Sequence, residues 1–182
     1  TMHDFASMRA LPNLTILAPC DAVQTEYLTD LLCQFTGPVY MRMGRGDVPP
    51  VYEAGEKFEI GKIKTVCEGT DATIIACGEM VAPAKKAAEL LQAEGISVRV
   101  LDCFTIQPMD TKTVEKALRE TRAVVTVEEH STRAGLVERS ETERAAPIST
   151  TYDENMNKNS KKPYRSRFRS AIIFYACYKN LK

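Results

Sequence analysis

Three places in the chain hold side chains that could do chemistry. The first is Arg45, set between Gly44 and Gly46 after the apolar run Val39-Tyr40-Met41-Arg42-Met43. A guanidinium offers a planar fork that matches phosphate oxygens, and the flanking glycines let the backbone approach a ligand closely. The same features also suit a solvated turn arginine. Arg42 alternates to another side of the strand and reads as a structural ion-pair partner. The second place is Glu128-Glu129-His130, which follows the apolar run Ala123–Val127. Ligands gather at the carboxyl ends of strands in α/β sheets, so acid/base work and a structural role are both open there, and adjacent carboxylates perturb each other's ionisation in either case. The third is His3. It stands directly before Asp4-Phe5-Ala6-Ser7-Met8-Arg9.

Other chemistries are not supported. The six cysteines (Cys20, Cys33, Cys67, Cys77, Cys103 and Cys177) form no Cys-x-x-Cys pair, and only His3 and His130 could add nitrogen ligands. No metal site is therefore expected. Several of these thiols lie in apolar strands, where they behave as small hydrophobes. Without a basic-then-apolar leader, a reduced, cytoplasmic setting is expected. Gly61 and Gly78 belong to no Gly-x-Gly-x-x-Gly or Walker pattern, so turn or strand-end roles account for them.

The elements that must position these residues alternate in type. Asp4 to Leu11 reads as the end of a helix stopped by Pro12-Asn13. Leu14–Ala18 is a short apolar strand. Asp21 is placed to cap a helix that carries Val23, Tyr27, Leu28, Leu31 and Leu32 on one face, and Gly37-Pro38 ends it before the strand Val39–Met43. Residues 47–57 hold Pro49, Pro50 and Gly55 without apolar periodicity and read as a linker. Beyond it, Phe58–Val66 and Ala72–Cys77 read as two strands of a hairpin turning through Cys67–Asp71. A helix over Val81–Glu94, a strand over Ser97–Asp102, and a helix over Thr111–Glu120 capped by Asp110 follow. Ala123–Val127 reads as a continuous buried strand of the parallel-sheet type. Strands spaced by helices argue for an α/β layer architecture.

At 182 residues with 44% hydrophobic content, the chain fits a globular protein with room for one domain and part of another. No run of about eighteen apolar residues points to a membrane helix. The net charge of zero conceals an asymmetry. Residues 133–182 hold eleven Lys/Arg against five Asp/Glu, and the preceding residues hold thirteen against nineteen. That tail is also rich in Asn and Ser. It reads as a disordered or non-native end, with a nucleic-acid arm around Tyr164–Arg169 as the weaker alternative. Ala171–Ala176 has an aggregation-type composition.

The order of short segments resembles a known family. Met8-Arg9-Ala10-Leu11-Pro12-Asn13, then Pro19-Cys20-Asp21-Ala22, then Gly37–Arg45 resemble the end of the pyrimidine-binding domain of transketolase. Gly69–Gly78, Ala87–Leu91, Glu94–Val98, Phe104–Asp110 and Val125–Ser131 resemble the transketolase C-terminal domain. The resemblance covers residues 4–131. Within the thiamine-diphosphate superfamily, 1-deoxyxylulose-5-phosphate synthase and the β subunit of 2-oxo-acid dehydrogenases share this design. The Tyr40–Gly46 and Phe104–Asp110 segments look most like transketolase, above all the split form whose C-terminal half is a separate subunit.

The resemblance implies an α/β fold: a three-layer α/β/α C-terminal domain with a mostly parallel sheet, preceded by the last strands and helix of a pyrimidine-binding domain. It implies residues 1–46 as the end of the first domain, 47–57 as linker, 58–132 as the incomplete second domain, and a five-strand helix-covered layer beyond the linker. It implies ketol transfer between sugar phosphates, with thiamine diphosphate and magnesium in the complete enzyme and neither held tightly by this chain alone. Catalytic residues are expected upstream of Thr1, on polypeptide that precedes this segment. An N-terminal transketolase subunit or domain is the expected partner, in a homodimer or heterotetramer; a module that only packs on a catalytic partner is the non-enzymatic alternative. One site residue carries over: Arg45 matches the arginine that holds the substrate's phosphate. The family's functional histidine sits several residues before the position of His3, so the resemblance implies that His3 is not that histidine; the family's C-terminal domain serves mainly in subunit packing, which favours a structural role for Glu128, Glu129 and His130.

The family follows Glu-Glu-His-Ser with a glycine pair, a leucine and another glycine. Here Arg133-Ala134-Gly135-Leu136-Val137-Glu138 stands instead. Codons chosen for these residues and read one base earlier give Gly-Gly-Leu-Gly-Arg-Ala-Val. A one-base frame shift between Ser131 and Ala134 is therefore the expectation for the tail.

Overall fold

The structure, a computed structural model, describes residues 3–130 together with Gly135 and Leu136. The tail readings fall outside the described residues, those two apart. In chain order the elements are α1 (Asp4–Arg9), β1 (Thr15–Leu17), α2 (Ala22–Leu32), β2 (Val39–Met41), β3 (Lys64–Cys67), β4 (Ala72–Ala76), a 3₁₀ turn (Gly78–Met80), α3 (Val81–Ala93), β5 (Val98–Asp102), β6 (Thr105–Gln107), α4 (Thr111–Glu120) and β7 (Ala123–Val127). No described helix is long and apolar enough to cross a membrane.

Both expected helix caps form. Asp21 Oδ1 accepts from the Gln24 amide at 2.8 Å at the start of α2, and Asp110 Oδ1 accepts from the Thr113 amide at 3.2 Å at the start of α4. Each carboxylate satisfies an amide that has no partner inside its own helix.

The strands make two sheets. In the first, ordered β2-β1-β6, β1 runs parallel to β2 and antiparallel to β6. In the second, ordered β3-β5-β4-β7, the last three strands are parallel and β3 is antiparallel. Neighbouring strand residues face opposite ways. Ile74, Val98 and Val100 pack with Val81, Ala84 and Ala88 of α3, whereas Ile75, Leu101 and Val124 pack with Val114 and Ala117 of α4. Helices cover both faces, giving the three-layer α/β/α arrangement with a mostly parallel sheet.

Four details differ from the sequence expectations. The hairpin through Cys67–Asp71 does not form, because β5 lies between its two arms: Leu101 pairs with Thr65 on one side and with Ile75 on the other. Gly69 is needed for close approach rather than for a hairpin turn, since a Cβ there would run into the backbone of Val98 and Arg99. Of the expected strand Phe58–Val66, the part before Lys64 is irregular. β7 is an edge strand among the described residues with only Val124 and Thr126 buried, so it is half-covered rather than buried throughout. The layer beyond the linker has four strands there instead of five. The additional strand, β6, leaves that layer and pairs with β1, and Ala18 N donates to Phe104 O at 2.8 Å beside it.

The proline-containing segment carries no helix or strand but is fastened. Asp21 Oδ2 accepts from the amides of Val51 and Tyr52, both at 2.9 Å. One buried carboxylate thereby caps α2 and pins the connector.

Candidate functional site

The residues that follow β1, β2, β4 and β7 converge on one cleft: Ala18, Arg42, Gly78 and Glu129 line it together. It widens outward past Asp4, Tyr40, Arg45 and Gly46. Carboxyl ends of parallel strands are where α/β sheets leave a crevice for ligands. Here the crevice forms where the two sheets meet, with Gly78 N donating to Ala18 O at 3.1 Å across the junction.

Arg42 is committed to holding that junction. Its Nη1 and Nη2 donate to the carbonyl oxygen and Oε2 of Glu129 at 2.8 and 2.9 Å. Its Nε lies 3.4 Å from Asp4 Oδ2, and the guanidinium stacks 5.0 Å from the Phe5 ring centre. Tyr40 donates to Asp4 Oδ2 at 3.0 Å. Burial, together with that bond and the Asp4 charge, pushes the Tyr40 phenol up. The ion-pair role read for Arg42 is what the geometry shows.

Arg45 stands differently. It is exposed, sits on the bend after β2, and faces the wider mouth of the cleft. It makes no ion pair and no hydrogen bond with the described residues. A guanidinium held at a cleft mouth with its donors free can take a bidentate anion.

Glu128, Glu129 and His130 are engaged in packing the junction. Glu129 holds Arg42. Glu128 is buried and its Oε2 accepts from Leu136 N at 2.7 Å, while Leu136 itself is fully buried. Gly135 lies against the same carboxylate, and its carbonyl accepts from Arg9 Nη1 at 3.1 Å. His130 is buried and stacks on Phe5 with ring centres 5.2 Å apart. His3 is exposed and meets His130 edge-on at 6.3 Å. Gly61 and Gly78 stand at turns with φ of 86° and 56°.

One cluster escaped the sequence reading. Asp102, at the end of β5, is fully buried. Its Oδ2 accepts from Gln24 Nε2 and from the Tyr52 hydroxyl, both at 2.8 Å. Gln24 Oε1 in turn accepts from Cys20 N at 2.8 Å. Burial pushes the Asp102 carboxyl up to about 7, against the bonds from Gln24, Tyr52 and Cys20, which pull it down. Burial likewise raises the thiols of Cys20, Cys77 and Cys103, which makes them poor nucleophiles. The network ties α2, the connector and β5 across separations of up to 78 residues. The lone signal in the sequence was Asp102, a carboxylate directly after the apolar pair Val100-Leu101 at the end of its strand.

Among the described residues no three His, Cys, Asp or Glu side chains gather where a metal ion could be held, so none of them is assigned to thiamine diphosphate or magnesium. What the cleft offers is a free guanidinium and open space beside it.

Comparison with known proteins gives the family. The model described as "Transketolase, C-terminal domain" matches residues 61–142. The chain is 47% identical over 137 residues to an apulose-4-phosphate transketolase subunit of Phocaeicola vulgatus, covering 75% of this chain and 44% of that one. It is 43% identical over 136 residues to a putative transketolase C-terminal section of Methanocaldococcus jannaschii, covering 74% and 42%. A solved structure titled "Split gene transketolase, inactive beta4 tetramer" superposes with a TM-score of 0.75 at 42% identity, covering 78% of this chain and 48% of that one. The chain thus spans less than half the length of these relatives. On this match and these relatives, residues 61–142 of the chain belong to the transketolase C-terminal domain family.

Proposed function

We propose that this chain is the C-terminal section of a transketolase and takes part in moving a two-carbon ketol unit from a ketose phosphate to an aldose phosphate. Residues 1–46 then close a pyrimidine-binding domain, 47–57 connect, and 58–132 form the C-terminal domain. Thiamine diphosphate and magnesium, when bound, supply the carbanion chemistry, and they are held by an N-terminal subunit or domain in a homodimer or heterotetramer. Its five described cysteines are all free, in keeping with a cytoplasmic setting.

The observation that carries this reading is Arg45. It is the guanidinium left free at the cleft mouth while Arg42, three positions away, is bound to Glu129 and Asp4. In the proposal Arg45 grips the sugar phosphate and so holds the reacting end in place, which is how binding distant from the chemistry raises its rate. Apulose 4-phosphate, in the name of one relative, is an example of such a phosphorylated sugar. With the complete enzyme assembled, Arg45→Ala should raise KM for phosphorylated sugars about a hundredfold, with a much smaller effect on an unphosphorylated acceptor. Equal effects on both would remove the assignment.

A second reading is a module that only packs against a catalytic partner. The carboxylates of Asp4, Glu79 and Glu129 around the cleft favour it, since they oppose an anion. Stable association with an N-terminal subunit, without ketol transfer and without pyruvate consumption, would select it. Pyruvate consumption would select the synthase or dehydrogenase relatives instead.

A further inference from the structure

Glu79 belongs to the 3₁₀ turn after β4, on the far side of the connector from Arg45 in sequence. That turn is anchored by Gly78 N on Ala18 O at 3.1 Å. From there the Glu79 side chain lies over Gly44: a Cβ on Gly44 would run into its Oε1, Cδ and Cγ. Glu79 is half-buried and lines the same cleft as Arg45. It makes no ion pair or hydrogen bond with the described residues, whereas Asp4 and Glu129 are both tied to Arg42. Its contact with the chain is therefore one of shape against the glycine next to Arg45.

We infer that Glu79 is a positioning residue for the phosphate grip: packed on Gly44, it steadies the bend that presents the Arg45 guanidinium to the cleft, and a side chain at position 44 would displace it. The inference rests on the proposed role of Arg45. Removing the side chain frees the bend to move, and a free bend loses the pre-organisation that makes a fork of donors effective. Charge works the other way. A carboxylate beside an anion site is repulsive, so if Glu79 acted by its charge alone, taking the charge away would tighten phosphate binding. The two roles differ in sign, which makes them separable.

The test is titration of the full chain with ribose 5-phosphate, followed through the amide signals of Gly44 and Gly46. Positioning by packing requires Glu79→Ala to weaken binding about tenfold while Glu79→Gln, which keeps the shape, stays within about twofold. Gly44→Ala should weaken it similarly, and much less so in the Glu79→Ala background, because the two side chains compete for one space. If Arg45→Ala abolishes binding but Glu79→Ala and Glu79→Gln both keep or strengthen it, Arg45 retains its role and the positioning inference is overturned. If Arg45→Ala binds as well as the unaltered chain, or the unaltered chain does not bind at all, the reading of Arg45 fails and this inference falls with it.

Discussion

Arg42 grips Glu129 through both the side-chain carboxylate and the main-chain carbonyl, at 2.9 and 2.8 Å. One residue at the end of β2 thereby holds the segment that leaves β7, and with Asp4 and Phe5 it closes the floor of the cleft. Because Glu129 is half exposed, solvent screens much of the charge. A double-mutant cycle of Arg42→Ala with Glu129→Ala should give a coupling of about 1 kcal/mol in thermal or denaturant unfolding. Arg42→Lys should lose most of it, since an ammonium cannot span the two acceptors. Additive single-mutant effects would contradict the clamp.

Asp21 and Asp110 both cap helices, yet their removal should differ. Asp110→Ala loses a cap, which costs about 1 kcal/mol. Asp21→Ala also strands the amides of Val51 and Tyr52, and each unsatisfied buried group adds about 1–3 kcal/mol. Denaturant unfolding should rank Asp21→Ala well below Asp110→Ala in stability. Equal losses would mean that the connector is not held through Asp21.

Asp102 gives the fold a pH dependence of defined sign. Its carboxyl is raised from 3.8 to about 7 by burial. Between those values the folded chain keeps a proton that the unfolded chain has released. This contribution to stability is full below the lower value, falls as pH rises through the interval, and is lost above about 7. Asp102→Asn keeps an acceptor for Tyr52 and Gln24 and removes the titration. Unfolding midpoints of the variant should vary less than those of the parent between about pH 5 and pH 8 and should exceed them at the upper end. An unchanged slope would place the titration elsewhere.

Leu136 is fully buried with Phe5, Ile75 and Val124. Leu136→Ala should destabilise the chain by about 2–5 kcal/mol, measured as a drop in unfolding midpoint. A neutral result would mean that Gly135 and Leu136 do not seat on Glu128.

What the sequence made legible was local. The caps at Asp21 and Asp110, the bounds of α3 and α4, and the pairing duty of Arg42 followed from periodicity and residue type acting over a few positions. The hairpin through Gly69 failed because a glycine between two apolar runs marks a turn and a close backbone approach equally well. Which one applies depends on β5, some thirty residues away. β6 was missed because three residues leave no period to detect. The Asp102 network was invisible because Gln24 and Tyr52 carry no local mark of a partner 78 and 50 residues distant. Gly135 and Leu136 have a different standing. They are the described residues of the tail, and both lie against the Glu128 carboxylate.

The central claim is that this chain completes a ketol-transferring enzyme whose cofactor grip lies on other polypeptide. The most direct measurement is to combine it with polypeptide supplying the N-terminal section and the start of the pyrimidine-binding domain, then assay transfer from xylulose 5-phosphate to ribose 5-phosphate with thiamine diphosphate and magnesium. The expected result is transfer that requires this chain and collapses in Arg45→Ala. A stable assembly that transfers nothing, or one whose activity is indifferent to Arg45, would contradict the account.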